Sequence, residues 1–104
     1  MTLEDLKKRC EEANIRYAYG KFDQTTPIPH LVAIEAEPNN FNADNRVYKK
    51  KKTIKLDYTY KGKNIEEENK IEDEILHDVC WNKTDETYLS DEKVWQTSYF
   101  FEII

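Results

Sequence analysis

The chain has 104 residues and a net charge of −5, with 36% charged and 38% apolar residues. A single domain of this length buries roughly two-thirds of the surface of its unfolded chain, so it can hold one core without metal or disulfides. Seven Tyr, four Phe and two Trp exclude the composition of a disordered chain. The negative charge disfavours nucleic acid as the main partner, and no apolar stretch predicts a signal peptide or a membrane span.

The first third of the chain predicts one helix and two strands. Thr2 and Asp5 have the spacing of a capping box, and apolar residues then recur at helical spacing, which predicts a helix that ends near Asn14. Residues 15–19 alternate and predict a short strand. Residues 30–37 have apolar side chains on both faces, which predicts an interior strand.

Residues 46–60 contain the strongest strand signal. From Thr53 onward apolar and polar side chains alternate, which predicts a long strand with one buried and one solvated face. The residues predicted to face the core are Ile54, Leu56, Tyr58 and Tyr60.

The last third predicts a second helix and two closing strands. Asn64 and Glu67 indicate an N-cap, and the apolar face that follows predicts a helix that ends around Cys80. Strands are predicted at residues 84–89 and 93–104, joined by a turn at residues 90–92. The residues of the last strand predicted to face inward are Trp95, Thr97, Tyr99, Phe101 and Ile103.

These elements predict a single α+β domain over residues 1–104 in the order α-β-β-β-α-β-β. A sheet with one apolar face must be covered, so we expect a two-layer sandwich with a mostly antiparallel sheet covered on one face by two helices. The predicted core contains Leu6, Ile54, Leu56, Tyr58, Ile71, Ile75, Val79, Trp95, Tyr99 and Phe101.

The residues contain no recognisable catalytic or metal-binding motif. His77 and Cys80 are three apart on the predicted second helix, but zinc needs three or four protein ligands and no others follow at suitable spacing. We therefore predict no catalytic residue, no metal and no cofactor. Cys10 and Cys80 are predicted to be buried free thiols in a reducing cytosol.

Two segments suggest contacts with a partner. The run Lys49–Lys52 could bind phosphate, but the favoured interpretation is the solvated start of a strand, since no aromatic stacking platform accompanies it. Phe41 is a bulky residue in a polar turn, either packed back on the core or exposed as an anchor for a partner.

Six segments carry a family resemblance: residues 17–20, 37–48, 54–58, 83–88, 92–96 and 99–103. They resemble a family of small prophage proteins of Gram-positive bacteria that are similar to siphophage tail terminators or head–tail joining proteins. The resemblance covers nearly the whole chain. The basic run departs from the family pattern and leaves open which face meets the tail tube.

The resemblance implies a non-enzymatic ring, hexameric in the particle, that caps the tail tube and docks it to the head. Its partners would be other copies of the chain, the tube end formed by the major tail protein, and a head connector protein, with no membrane. It would occur in the host cytoplasm during assembly and then at the head–tail junction of the virion. The candidate interface residues are Phe41, Asn42, Asp44, Lys49, Lys50, Lys51 and Lys52. The alternative is a small nucleic-acid-binding module that uses the lysine run.

Overall fold

The structure, a computed structural model, describes residues 1–24, 26–36 and 52–103. Two helices and a six-stranded, mostly antiparallel sheet form a small α+β fold, which confirms the predicted class. The elements are α1 (Leu3–Glu12), β1 (Arg16–Tyr19), β2 (His30–Glu35), β3 (Lys52–Tyr60), α2 (Ile65–Lys70) with a π-helical continuation (Ile71–Ile75), β4 (Trp81–Lys83), β5 (Thr87–Leu89) and β6 (Val94–Ile103).

The predicted capping box sets the start of α1. The Thr2 hydroxyl accepts a hydrogen bond from the Asp5 backbone N–H at 3.1 Å, and the Asp5 carboxylate accepts one from the Thr2 N–H at 3.1 Å. The helix ends at the predicted place, where Asn14 has a φ of 63°. Asn tolerates this left-handed conformation better than most residues, so the chain turns there towards β1.

The sheet has the order β1-β2-β3-β6-β4, and β5 also pairs with β6. Only the β1–β2 pair among the described strands is parallel. β2 lies between β1 and β3, which confirms the prediction of an interior strand. β3 and β6 form the longest ladder, with nine residue pairs from Lys52 opposite Ile103 to Tyr60 opposite Trp95.

Both helices pack on one face of this sheet, called here the helix-covered face. The four β3 residues predicted to face inward are buried there, which confirms the alternation read from the sequence. The buried apolar residues that form the core are Leu6, Cys10, Ala13, Ile15, Leu31, Ala33, Ile54, Leu56, Tyr58, Tyr60, Ile71, Ile75, Leu76, Tyr99, Phe101 and Ile103.

Two predicted core residues are placed differently. Trp95 is 37% exposed, so its assignment to the core is wrong. It is opposite Tyr88 of the edge strand β5, and the two rings pack against each other with centroids 5.1 Å apart. Val79 is only partly buried and packs against the margin of the core.

The second helix is shorter than predicted. It ends at Ile75 and not around Cys80, because the backbone changes to a π-helical turn in which the Leu76 N–H donates to the Ile71 carbonyl at 2.9 Å. The Arg9 guanidinium of α1 donates to the Ile75 carbonyl at 2.9 Å and caps this end. Cys80 therefore lies outside the helix and is exposed, contrary to the prediction of a buried thiol.

Two titratable groups, the Asp78 carboxyl and the Cys10 thiol, have pKa values that are shifted by their surroundings. Arg9 also pairs with Asp78 at 2.8 Å, and the hydrogen bond from Arg9 lowers the pKa of that carboxyl to about 2. Cys10 is buried as predicted, and burial raises the pKa of its thiol to about 12. The Cys10 thiol is thus protonated at neutral pH and behaves as a small apolar core residue.

The predicted strand at residues 84–89 is shortened to β5, and a further strand before it, β4, was not predicted. Both strands pair with the same edge of β6. Their registers differ by one residue, because this edge has one residue more than β6 between the pair Lys83–Tyr99 and the pair Thr87–Gln96. The extra residue forms a bulge, in which the Thr84 hydroxyl accepts a hydrogen bond from the Ser98 N–H at 3.0 Å. A short polar edge strand has little alternation, which explains why the sequence did not indicate it.

The burial of Phe101 leads to a stability prediction. Phe101 is 3% exposed on the helix-covered face, so Phe101→Ala should lower the free energy of unfolding by about 3–5 kcal/mol. The neighbouring Phe100 is only half-buried on the opposite face, and Phe100→Ala is the matched control with a clearly smaller loss. Urea unfolding followed by circular dichroism measures both, and a loss below about 1 kcal/mol for Phe101→Ala would contradict the assigned inward face.

Candidate functional site

One of the candidate interface residues lies in the described part of the chain. Lys52 is exposed and begins β3, at the end of the strand opposite Ile103. Its side chain is in phase with Ile54 but exposed, whereas Ile103 opposite it is buried, so the margin of the core lies between β3 and β6 at this end. The remaining candidates lie outside the described residues, and their assignment stays a prediction: Phe41, Asn42, Asp44, Lys49, Lys50 and Lys51.

The sheet face opposite the helices, called here the second face, has a mixed surface. In the described ranges no helix packs on it. Its half-buried apolar side chains include Val32, Ile34 and Phe100. The polar side chains on this face, placed by the β2–β3 and β3–β6 registers, are His30, Thr53, Lys55, Asp57, Thr59, Gln96, Ser98 and Glu102.

A groove occupies one end of the second face. The connection between the parallel strands β1 and β2 crosses this side, where the Phe22 ring packs edge-on against His30 with centroids 5.0 Å apart. The groove between this connection and the β5–β6 hairpin has a volume of about 440 Å³. It is lined by Thr26, Ile28, His30, Val32, Asp57, Thr59, Leu89, Glu92, Val94 and Gln96.

The groove combines apolar walls with negative charge. Its lining contains the carboxylates of Asp57 and Glu92 and, among the described residues, no lysine or arginine. Asp57 is on the floor, with a side chain 17% exposed, and accepts a hydrogen bond of 2.6 Å from the Ser98 hydroxyl. Among the described residues, the Lys55 ammonium forms an ion pair with this carboxylate, with Nζ 3.8 Å from Oδ1. This distance is longer than a hydrogen bond and the Lys55 side chain is 36% exposed, so Lys55 offsets the negative charge of Asp57 only in part.

A second polar cluster lies at the margin of the helix-covered face. Three tyrosines of the sheet extend from the core so that their hydroxyls donate to carboxylates. The pairs are Tyr58 with Glu67 at 2.6 Å, Tyr60 with Glu86 at 2.8 Å and Tyr99 with Glu72 at 2.8 Å. Each ring fills the core while its hydroxyl is satisfied outside it, as buried tyrosines require.

Glu68 is the centre of this cluster and is only 6% exposed. Its Oε1 lies 3.3 Å from the Lys83 ammonium, and its Oε2 lies 3.0 Å from that of Lys63 without hydrogen-bond geometry at this oxygen. Lys83 also pairs with Glu72 at 2.7 Å, and Lys63 pairs with Glu86 at 2.9 Å. Because these charges are paired with one another, the cluster fixes α2 on the sheet. Local sequence patterns did not predict this cluster, because its members come from separate segments.

The other residues considered for metal binding or catalysis do not form a site within the described part of the chain. His77 and Cys80 are both exposed, and no three or more His, Cys, Asp or Glu among the described residues lie close enough together to hold a metal ion. Within the same residues, no helix combines the length and the apolar character needed to cross a membrane.

No family model, curated protein or solved structure matches this chain. The similarity to phage tail terminators therefore depends on the sequence segments described above. The groove and the second face are independent observations, because they follow from the strand registers and the side chains that line them.

The tyrosine cluster leads to a prediction about alkaline pH. Burial, and then the hydrogen bond to a carboxylate, raises the pKa of Tyr58 and of Tyr99 far above that of free tyrosine. The neutral hydroxyls therefore stabilise the fold fully below about pH 10, and this contribution is lost as the pH rises towards the folded-state pKa values.

Ultraviolet titration of tyrosinate should accordingly show a late group of tyrosines that ionise only as the circular dichroism of the fold is lost. The variant Tyr99→Phe should remove one tyrosine from this late group, whereas Tyr88→Phe, at an exposed position, should leave the late group unchanged. Ionisation of all the tyrosines near pH 10 with the fold intact would contradict the burial of these hydroxyls.

Proposed function

We propose that this chain is a structural protein of a phage, a tail terminator or head–tail joining protein that forms a hexameric ring in the particle. The ring would cap the tail tube formed by the major tail protein and dock it to the head connector. The observation that supports the proposal most directly is the difference between the two faces of the sheet. One face is covered by helices, and the other has half-buried apolar side chains and an acidic groove.

A ring of identical subunits needs two different surfaces on each subunit, because its contacts are head-to-tail. Two surfaces are candidates for such a pair. Among the described residues, the exposed Lys52 begins β3, and the groove around Asp57 lies towards the other end of this strand. A domain with one helix layer and a mixed second face is therefore suited to binding its own neighbours.

The sequence resemblance supports the same function over nearly the whole chain. It gives the protein no catalytic residue and no cofactor, and it predicts a contact segment around Phe41 and Asp44 in the connection between β2 and β3. A protein with this role would be made in the host cytoplasm and would end at the head–tail junction of the virion.

Assembly of phage particles tests the proposal. Particles made with Phe41→Ala and Asp44→Lys should contain heads and tails that fail to join, or tails of irregular length, while the purified variant still folds. A buried aromatic anchor at an interface costs about 2 kcal/mol or more when truncated, which is enough to prevent ring closure. Electron microscopy and infectivity measure the outcome.

The matched control for this experiment is Ile65→Ala. Ile65 is 62% exposed on the first turn of α2, so this variant removes an exposed apolar side chain away from the predicted contact segment. Normal particles are expected from it. Normal infectious particles from the Phe41 and Asp44 variant as well would remove this segment from the interface.

The second candidate function is a small nucleic-acid-binding module, which the exposed Lys52 at the end of the basic run favours. If the ring proposal holds, replacing Lys49–Lys52 by Gln should leave folding unchanged and should cause no loss of DNA binding. Fluorescence anisotropy with labelled duplex DNA at two salt concentrations measures this. Tight, salt-dependent binding by the natural chain that vanishes in the variant would place the second function above the first.

A further inference from the structure

We propose that the acidic groove on the second face binds the lysine run Lys49–Lys52 of a second copy of this chain. The inference rests on the proposed ring and names the two surfaces that meet between neighbouring subunits. The groove is defined by its lining residues around Asp57 and Glu92, and the bound segment by Lys49–Lys52 of the neighbour.

The chemistry of the groove matches a lysine side chain. Its walls include Ile28, Val32 and Leu89, which can pack against the methylene groups of a lysine. The carboxylates of Asp57 and Glu92 can pair with the ammonium group. Asp57 is held in place by the neutral Ser98 hydroxyl, which orients the carboxylate without removing its charge.

The position of Lys52 favours a contact between different molecules. Lys52 and Asp57, the lining residue of the groove nearest to it on β3, are five residues apart, or about 17 Å at roughly 3.3 Å per residue, and their side chains are on opposite faces of the sheet. Lys52 is therefore not part of the groove of its own chain. A basic end and an acidic groove at opposite ends of one rigid strand give a head-to-tail contact, which closes into a ring when its rotation allows.

Phosphate and small ligands fit the groove less well. Two carboxylates without a lining lysine or arginine among the described residues repel an anion, so the groove disfavours nucleic acid. The cluster around Glu68 is also acidic, but it is neutralised by its own lysines, Lys63 and Lys83. The groove therefore matches the basic run better than the cluster around Glu68 does.

Two complementary variants test the contact. The groove variant carries Asp57→Asn, which keeps an acceptor for the Ser98 hydroxyl, together with Glu92→Lys on the exposed hairpin turn. The run variant carries Lys50→Glu and Lys52→Glu and leaves the groove unchanged. Sedimentation velocity and nuclear magnetic resonance, at concentrations up to about 1 mM, measure self-association of each chain.

The natural chain should self-associate, and its association should weaken with added salt because the contact is ionic. Each variant alone should associate at least about tenfold more weakly than the natural chain. An equal mixture of the two variants should form heterodimers and stop there, because only one intact groove and one intact run remain in each pair. The matched control Glu74→Lys changes an exposed charge on the helix side and should associate like the natural chain.

Three results would overturn the inference: a natural chain that stays monomeric up to the highest concentration, variants that associate as strongly as it does, or a mixture that forms no heterodimer. DNA binding by the basic run without self-association would also overturn it. Particles made with the groove variant distinguish a failure of the groove contact from a failure of the proposed ring function. Normal particles from the groove variant, together with defective particles from the Phe41 and Asp44 variant, would reject the groove and leave the proposed function standing.

Discussion

The pairing of β3 with β6 is the constraint on which the rest of the structure depends. Nine residue pairs hold the two longest strands in one register, and this register places Leu56 beside Tyr99 and Ile54 beside Phe101 on the helix-covered face. A slip by one residue would move these side chains to the second face and bring Lys55 and Asp57 into the core. The core, the tyrosine cluster and the groove all follow from this single alignment.

Much of this alignment could be predicted from the sequence, because both strands alternate clearly and each helix has an N-cap signal. Thr2 and Asn64 accept the expected capping hydrogen bonds, and the inward face of β3 is correct throughout. The errors have a common physical origin. The early end of the second helix, the unpredicted β4 and the exposed Trp95 all depend on contacts with distant segments, which local periodicity does not contain.

The distinction between local patterns and contacts of distant segments also applies to the two candidate surfaces, the basic run and the groove. The basic run is contiguous, so the sequence shows it at once, whereas the groove combines the connection after β1, the middle of the sheet and the β5–β6 hairpin. Asp57 illustrates the difficulty. In the sequence it is one polar residue in an alternating strand, and only the register that sets it opposite Ser98 and Val32 makes it the floor of a concave surface.

The bulge between β4 and β5 has a consequence for how copies of the molecule can meet. A straight outer strand presents a regular row of unpaired backbone groups to which another sheet can be added without limit. Here the outer strand changes register after Lys83, and its interruption is fixed by Thr84 bonded to Ser98. At the other margin, β1 offers only four residues before Gly20. Growth by continuous sheet extension, as in a fibril, is thus obstructed at both sides, so ordered association has to proceed through side chains and can end at a finite size.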